Sequence, residues 1–209
     1  MKNKSTYIML GLGILSQVLT FVLTGDAWIS FISGIAGVVS VVLCSERRIS
    51  YYIWSFIQLI TYAYICWEGE LYGKFFENIV YFIAGVIGLI IWLRNTDEDN
   101  LVKTKELDHN GIFKCCISFL IGTCTMLYIL NGIGGSNILL DAVSTTLAII
   151  AQVLMMLRYK ENWIVWFVVN ILCIILWSIK SDWCMVMQYV FWAGNTVYGY
   201  NIWKKSIKK

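Results

Sequence analysis

The chain is 209 residues long, 59% hydrophobic and only 14% charged, with a formal charge of +3 and a mean hydropathy of +0.70. A water-soluble domain carries about 25% charged residues and cannot hide this much apolar surface. The small positive charge forms no basic patch interleaved with surface aromatics, which excludes a nucleic-acid partner.

Eight apolar segments follow one another, at 7–24, 28–44, 50–67, 75–93, 113–131, 138–157, 162–179 and 183–203. Each reaches the roughly 17 residues that a spanning helix needs, and lipid demands a backbone that satisfies itself. The sequence therefore predicts an all-α integral membrane protein with eight transmembrane helices. The first segment follows Lys2 and Lys4, but no small-x-small cleavage site stands near Thr24 and Gly25, so it is read as a retained span. The third carries Tyr51-x-x-Trp54-x-x-x-Gln58, and the fourth carries Glu77 and Asn78 and closes on Gly88-x-x-x-Trp92. A polar connector, 96–110, leads to the fifth span, which ends at the flexible turn Gly132-Ile133-Gly134-Gly135. The sixth contains Asp141 and Gln152, the seventh Trp163-x-x-Trp166-x-x-x-Asn170, and the eighth Gln188, Tyr189, Asn195 and a closing Gly199-x-x-x-Trp203. The sequence contains no proline, so any bend must come from glycine, Ser/Thr pairs or inserted water.

The basic residues fix an orientation. With both termini cytoplasmic, fourteen of the sixteen Lys and Arg fall on the inner side, and only Lys74 and Lys180 fall outside. That asymmetry is what the positive-inside rule expects.

The spans also repeat. Tyr51, Trp54 and Gln58 match Trp163, Trp166 and Asn170 at an offset of 112, and Gly88 and Trp92 match Gly199 and Trp203 at 111, so one gap reconciles the halves. The chain divides into an extra N-terminal span (1–27), a three-helix repeat (28–93), a cytoplasmic loop with a linker helix (94–131), a second three-helix repeat (132–203) and a basic cytoplasmic tail (204–209). An odd number of spans separates the triplets, so they are parallel repeats, an arrangement used by transporters with a site near mid-membrane.

Polar groups within spans are costly and are expected to face the bundle interior. Gln58, Asn78, Gln152, Asn170, Gln188 and Asn195 make this set mostly carboxamide, suited to the hydroxyls and amides of a neutral or singly charged ligand. Trp163, Trp166 and Tyr189 either offer flat faces to a heteroaromatic ring or serve as anchors and helix packing. Asp141 either caps its helix or lines the access path, and Glu77 sits either in the interior or at the outer interface. His109, the sole histidine, lies in the charged connector, and the seven cysteines form no C-x-x-C pair, so neither a metal centre nor a hydrolytic triad is available. No G-x-x-x-x-G-K-[ST] run marks a nucleotide-driven motor, and no cofactor is implied.

The run Glu161-Asn162-Trp163-x-x-Trp166-x-x-x-Asn170 resembles the E-N-W-x-x-W-x-x-x-N signature of the PnuC family of bacterial vitamin transporters, and Asp141, Ile49-Ser50, Leu71-Tyr72, Gly88 and Trp92 fit it too. The resemblance covers about residues 33–205. It implies facilitated diffusion of nicotinamide riboside, or of thiamine or another vitamin or nucleoside, across the bacterial cytoplasmic membrane. It implies a 3+1+3 core similar to SWEET transporters, with a mid-membrane site at the W-x-x-W aromatics and nearby carboxamides. It also implies trapping by a cytoplasmic vitamin kinase and a homotrimeric assembly. Substrate binding is thereby expected at Gln58, Asn78, Trp163, Trp166, Asn170 and Tyr189, with Asp141 at an access or coupling position. Gln58 and Asn78 stand where the riboside branch often has Asn and Gln, and Gly85 and Leu89 replace a common Asn and Trp, so the first half of the site is altered. A non-transporting receptor would carry the same residues.

Overall fold

The computed structural model describes residues 4–25, 27–68, 72–133, 138–179 and 183–207, and folds them into eight helices. They are α1 (Lys4–Thr24), α2 (Trp28–Ser45), α3 (Tyr51–Glu68), α4 (Tyr72–Leu93), α5 (His109–Ile133), α6 (Ile138–Met156), α7 (Asn162–Ile179) and α8 (Trp183–Ile207). The shortest have 18 residues, about 27 Å at 1.5 Å per residue, which is close to the hydrocarbon thickness of a bilayer. Among the described residues α1, α2, α5 and α6 are long and apolar enough as whole helices to cross a membrane, while α4 and α7 hold shorter apolar stretches. Leu71, Lys180, the Gly134-Gly135 turn, Lys208 and Lys209 lie outside the described residues, as do the side chains of Lys74, Trp177 and Cys184.

The chain forms two compact units, 1–103 and 104–209. In the first, α2, α3 and α4 pack in sequence and α1 lies against α2. Glycine permits that last contact: a Cβ on Gly34 would collide with the Oε1 of Gln17, so the Gln17 side chain occupies the notch. Close approach at small residues is how helices associate where lipid removes the hydrophobic driving force. The Thr6 hydroxyl donates to the Glu46 carboxylate at 2.6 Å and ties the start of α1 to the end of α2. In the second unit α6, α7 and α8 pack in sequence and α5 lies against α6.

The two units repeat the same backbone in one register. The α2–α3 turn places Arg47 at φ 61°, and the α6–α7 turn places Arg158 at φ 70°. Each helix ends in a Schellman arrangement: Arg48 N donates to Leu43 O (3.0 Å) and Arg47 N to Cys44 O (3.0 Å), as Tyr159 N does to Leu154 O (2.9 Å) and Arg158 N to Met155 O (2.9 Å). Left-handed backbone is rare for a residue with a Cβ, and in both turns the carbonyl it presents is used. Val102 N donates to Arg47 O at 3.0 Å, and Lys105 N donates to Arg158 O at 2.8 Å. Side chains reinforce each junction. Arg47 reaches Val102 O (3.0 Å) and Asp97 (3.5 Å) in the first unit, and in the second Lys160 pairs with Glu106 at 2.6 Å while Glu161 accepts from Leu107 N at 3.1 Å. Burial alone would lower the Lys160 ammonium, but the hydrogen bond and charge of Glu106, then Glu161, hold it above its ordinary range.

Two boundaries differ from the sequence expectation. The stretch from Lys204 onward is not a separate tail, because α8 runs to Ile207 with Lys204 and Lys205 in its last turn, where cations complement the helix dipole. The linker helix begins at His109, inside the segment expected to be loop.

Candidate functional site

From the ends of α2 and α6 onward, corresponding residues in the two units stand 111 apart. Arg47 and Arg158 share the positive-φ position, α3 and α7 start at residues 51 and 162, and α4 and α8 start at 72 and 183. The sequence match at 112 is therefore one residue out of register. Tyr52, not Tyr51, is the counterpart of Trp163. Both rings meet the closing tryptophan of their unit edge-on, Tyr52 on Trp92 at 5.2 Å and 84°, and Trp163 on Trp203 at 5.6 Å and 87°. Ser55 then corresponds to Trp166 and Leu59 to Asn170, while Gln58 is displaced about 100° around α3 from the place Asn170 holds on α7.

In the first unit Asn78 is 5% exposed, and its side-chain amide donates to the backbone carbonyl of Leu59, near the middle of α3. Gln58 is half-buried and its carboxamide rests on Gly37 of α2, 3.4–3.5 Å from where a Cβ would lie. These two carboxamides thus turn to different neighbours. Beside Asn78, the half-buried Glu77 accepts a hydrogen bond from the Tyr81 hydroxyl at 3.1 Å.

In the second unit Asn170 is 3% exposed at the middle of α7, and the half-buried Trp166 lies one turn away on the same face. Trp163 is 2% exposed and sits at the helix start, with its indole so close to Gly199 that a Cβ there would be 2.6 Å from Cε2. Both of its surfaces are occupied within the unit, so in this conformation Trp163 packs helices and offers no open face to a ring. Tyr189, half-buried on α8, stands edge-on to Trp192 at 5.1 Å and 87°. It is the counterpart of Asn78, so the buried carboxamides are distributed differently: the first unit has Asn78 on α4, the second Asn162 and Asn170 on α7 and Asn195 on α8. Asp141 lies in the first turn of α6, three residues inside the helix, and so it is not the N-cap. It complements the helix dipole there.

Cavities of about 500 Å³, lined by Ile138, Leu139, Leu140, Val143 and Leu172, and about 460 Å³, between α5 and α6, both belong to the second unit and contain none of these residues. Among the described residues no group of three or more His, Cys, Asp or Glu is placed to hold a metal.

Three comparisons bear on this geometry. The family model described as nicotinamide mononucleotide transporter matches residues 27–205. The nicotinamide riboside transporter PnuC of Haemophilus influenzae is 34% identical over 206 residues, 97% of this chain and 90% of that protein. The protein of the same name from Neisseria mucosa is 32% identical over 218 residues, 99% of this chain and 82% of its own length. A crystal structure of the vitamin B3 transporter PnuC superposes with a TM-score of 0.84 at 29% identity, covering 100% of this chain and 94% of the other.

Proposed function

The chain belongs to the family of nicotinamide mononucleotide transporters, and from that premise we propose that it carries nicotinamide riboside across the bacterial cytoplasmic membrane by facilitated diffusion. It is a multi-pass membrane transporter, and its family consists of carriers, not enzymes. The observation that carries the choice of substrate is the likeness to nicotinamide riboside transporters over 97–99% of the chain, with the Glu161-Asn162-Trp163-x-x-Trp166-x-x-x-Asn170 run intact.

The chemistry supports the choice. Trp166 and Tyr189 supply aromatic faces for a pyridine ring, and Asn78, Asn170 and Gln58 supply donors and acceptors for ribose hydroxyls and a carboxamide. Trp163, three residues before Trp166 on the same face of α7, is the further aromatic that the family resemblance assigns to this site. Asp141, in the first turn of α6, lines the access path. Residues 28–93 and 132–203 are the two triplets of a SWEET-like 3+1+3 core, with 1–27 as an extra span and 94–131 as connector and linker helix. The charge asymmetry supports cytoplasmic placement of both termini. The absence of a motor motif and the scarcity of charge within spans favour uncoupled movement, with net uptake drawn by a cytoplasmic kinase that phosphorylates the riboside. A homotrimer is the assembly carried over from the family resemblance.

Purified protein reconstituted alone in liposomes tests this. Labelled nicotinamide riboside should enter and stop at equal concentrations. Accumulation above the outside level under an imposed pH or sodium gradient would overturn uncoupled diffusion. Binding without uptake would make the protein a receptor, and preference for thiamine would assign the altered first half to a different ring.

A further inference from the structure

The two units place chemically different residues on the same turn of the third helix of their triplets. Glu77 of α4 corresponds to Gln188 of α8, 111 residues on, in helices that start 111 apart. The fold therefore does not demand a carboxylate at this place, since the sister unit holds a neutral carboxamide there. In α1–α4 the other charged residues are Lys4, Glu68 and Lys74, all in terminal turns. Glu77 alone stands deeper, beside Asn78, which bonds the middle of α3. An ionisable residue at that depth is expensive and marks function by default.

Its direction also matters. On α4 the residues Asn78, Gly85, Gly88 and Trp92 are buried along one stripe, while Val80, Ile83 and Ile87 are exposed on the opposite side. At 100° per residue Glu77 sits about 65° from the centre of the buried stripe and about 90° from the centre of the exposed one. The Tyr81 hydroxyl holds one carboxylate oxygen at 3.1 Å, and Tyr62 of α3 lies within electrostatic reach. The carboxylate is thus oriented by a side-chain partner on its own helix.

We propose that Glu77 is a specificity-determining residue: its carboxylate supplies the counter-charge for the permanently cationic pyridinium ring of the carried riboside, while the carboxamides read the sugar and amide. The proposal rests on the transport reading above. An opposite charge within about 4–6 Å favours the ionised partner by roughly tenfold or more. A ligand whose ring is reduced to the neutral dihydropyridine keeps the same sugar and amide but loses that attraction.

The test is calorimetric binding of nicotinamide riboside and of its reduced, neutral form to the purified full chain, parent and Glu77→Gln. The substitution installs the residue the second unit already uses and keeps an acceptor for Tyr81. The parent should prefer the cation by about tenfold or more, and Glu77→Gln should erase that ratio while leaving affinity for the neutral form within about twofold. Equal weakening of both ligands would make Glu77 a structural residue and overturn the proposal, as would a ratio that collapses in Asp141→Asn and survives in Glu77→Gln. A parent that binds neither ligand overturns the transport reading itself, a different result from a parent that binds both equally.

Discussion

Gly199→Ala should destabilise the protein because it fills the seat of Trp163. A Cβ at position 199 would lie 2.6, 2.7 and 2.8 Å from Cε2, Cζ2 and Cδ2 of the indole, separations that real side chains do not tolerate. The ring has little room to retreat, since it meets Trp203 edge-on at 5.6 Å and both residues are essentially inaccessible. Overpacking a tight core costs about 1–3 kcal/mol, and this rigid contact belongs in the upper half of that range. Alanine returns up to about 1 kcal/mol through helix propensity. The net loss is about 1–2 kcal/mol, and at roughly 2–4 °C per kcal/mol for a chain of this size the midpoint should fall by about 2–8 °C. Gly194, five residues earlier on the same helix, has nothing within 4 Å of its added Cβ. Gly194→Ala should therefore keep the propensity gain and raise the midpoint slightly. Thermal unfolding of the purified variants in one detergent reads both. The smaller ring of Trp163→Phe should partly rescue Gly199→Ala, a non-additivity expected only of residues in contact. Gly199→Ala with a midpoint at or above the parent's would refute the seat.

Trp166→Ala should weaken riboside binding by about 5- to 150-fold, the loss of one base–aromatic stack at about 1–3 kcal/mol, and Asn170→Leu should act in the same direction by removing a directional partner from a buried position. Ile175→Ala, about 180° around α7 from Trp166 and 48% exposed, is the control; unchanged affinity in Trp166→Ala would make that tryptophan packing only. A reporter active only outside the cytoplasm should give no signal when fused at position 109 or at the C-terminus, and a signal at one alone would mean a different number of crossings. Lys160 is held above its ordinary range, so its contribution is complete at neutral pH and is lost only as pH rises past about 10.4, where a free lysine titrates. The stability difference between parent and Lys160→Gln should accordingly stay constant from pH 7 to pH 9 at about 1 kcal/mol or less, because Glu106 is 57% exposed, and it should shrink in strong alkali. A difference that grows with pH would show that another group carries it.

Hydropathy made the helices legible because lipid leaves the chain almost no choice: eight apolar runs gave eight helices, most with ends within three residues of the expected ones. Register was not legible in the same way. Aromatic and carboxamide residues recur so often in these spans that Tyr51, Trp54 and Gln58 imitate Trp163, Trp166 and Asn170 one residue off the true correspondence. What fixes the correspondence is the backbone of two turns, where Arg47 and Arg158 adopt a conformation usually left to glycine. Arginine at such a place sends no local signal, although the pairs Arg47 with Trp92 and Arg158 with Trp203 stand 45 residues apart in both halves and would have revealed it. The shift by one residue changes the chemistry expected of the first unit. Leu59 occupies the place of Asn170, and what α3 contributes there is its backbone carbonyl, already taken by Asn78. Asn78 itself stands where the second unit has Tyr189, and Glu77 where it has Gln188. The repeats thus share a scaffold down to individual turn hydrogen bonds while dividing the polar work unequally between them. From one scaffold the first unit puts a carboxylate and a carboxamide at adjacent positions of α4, where the second puts a carboxamide and a tyrosine on α8.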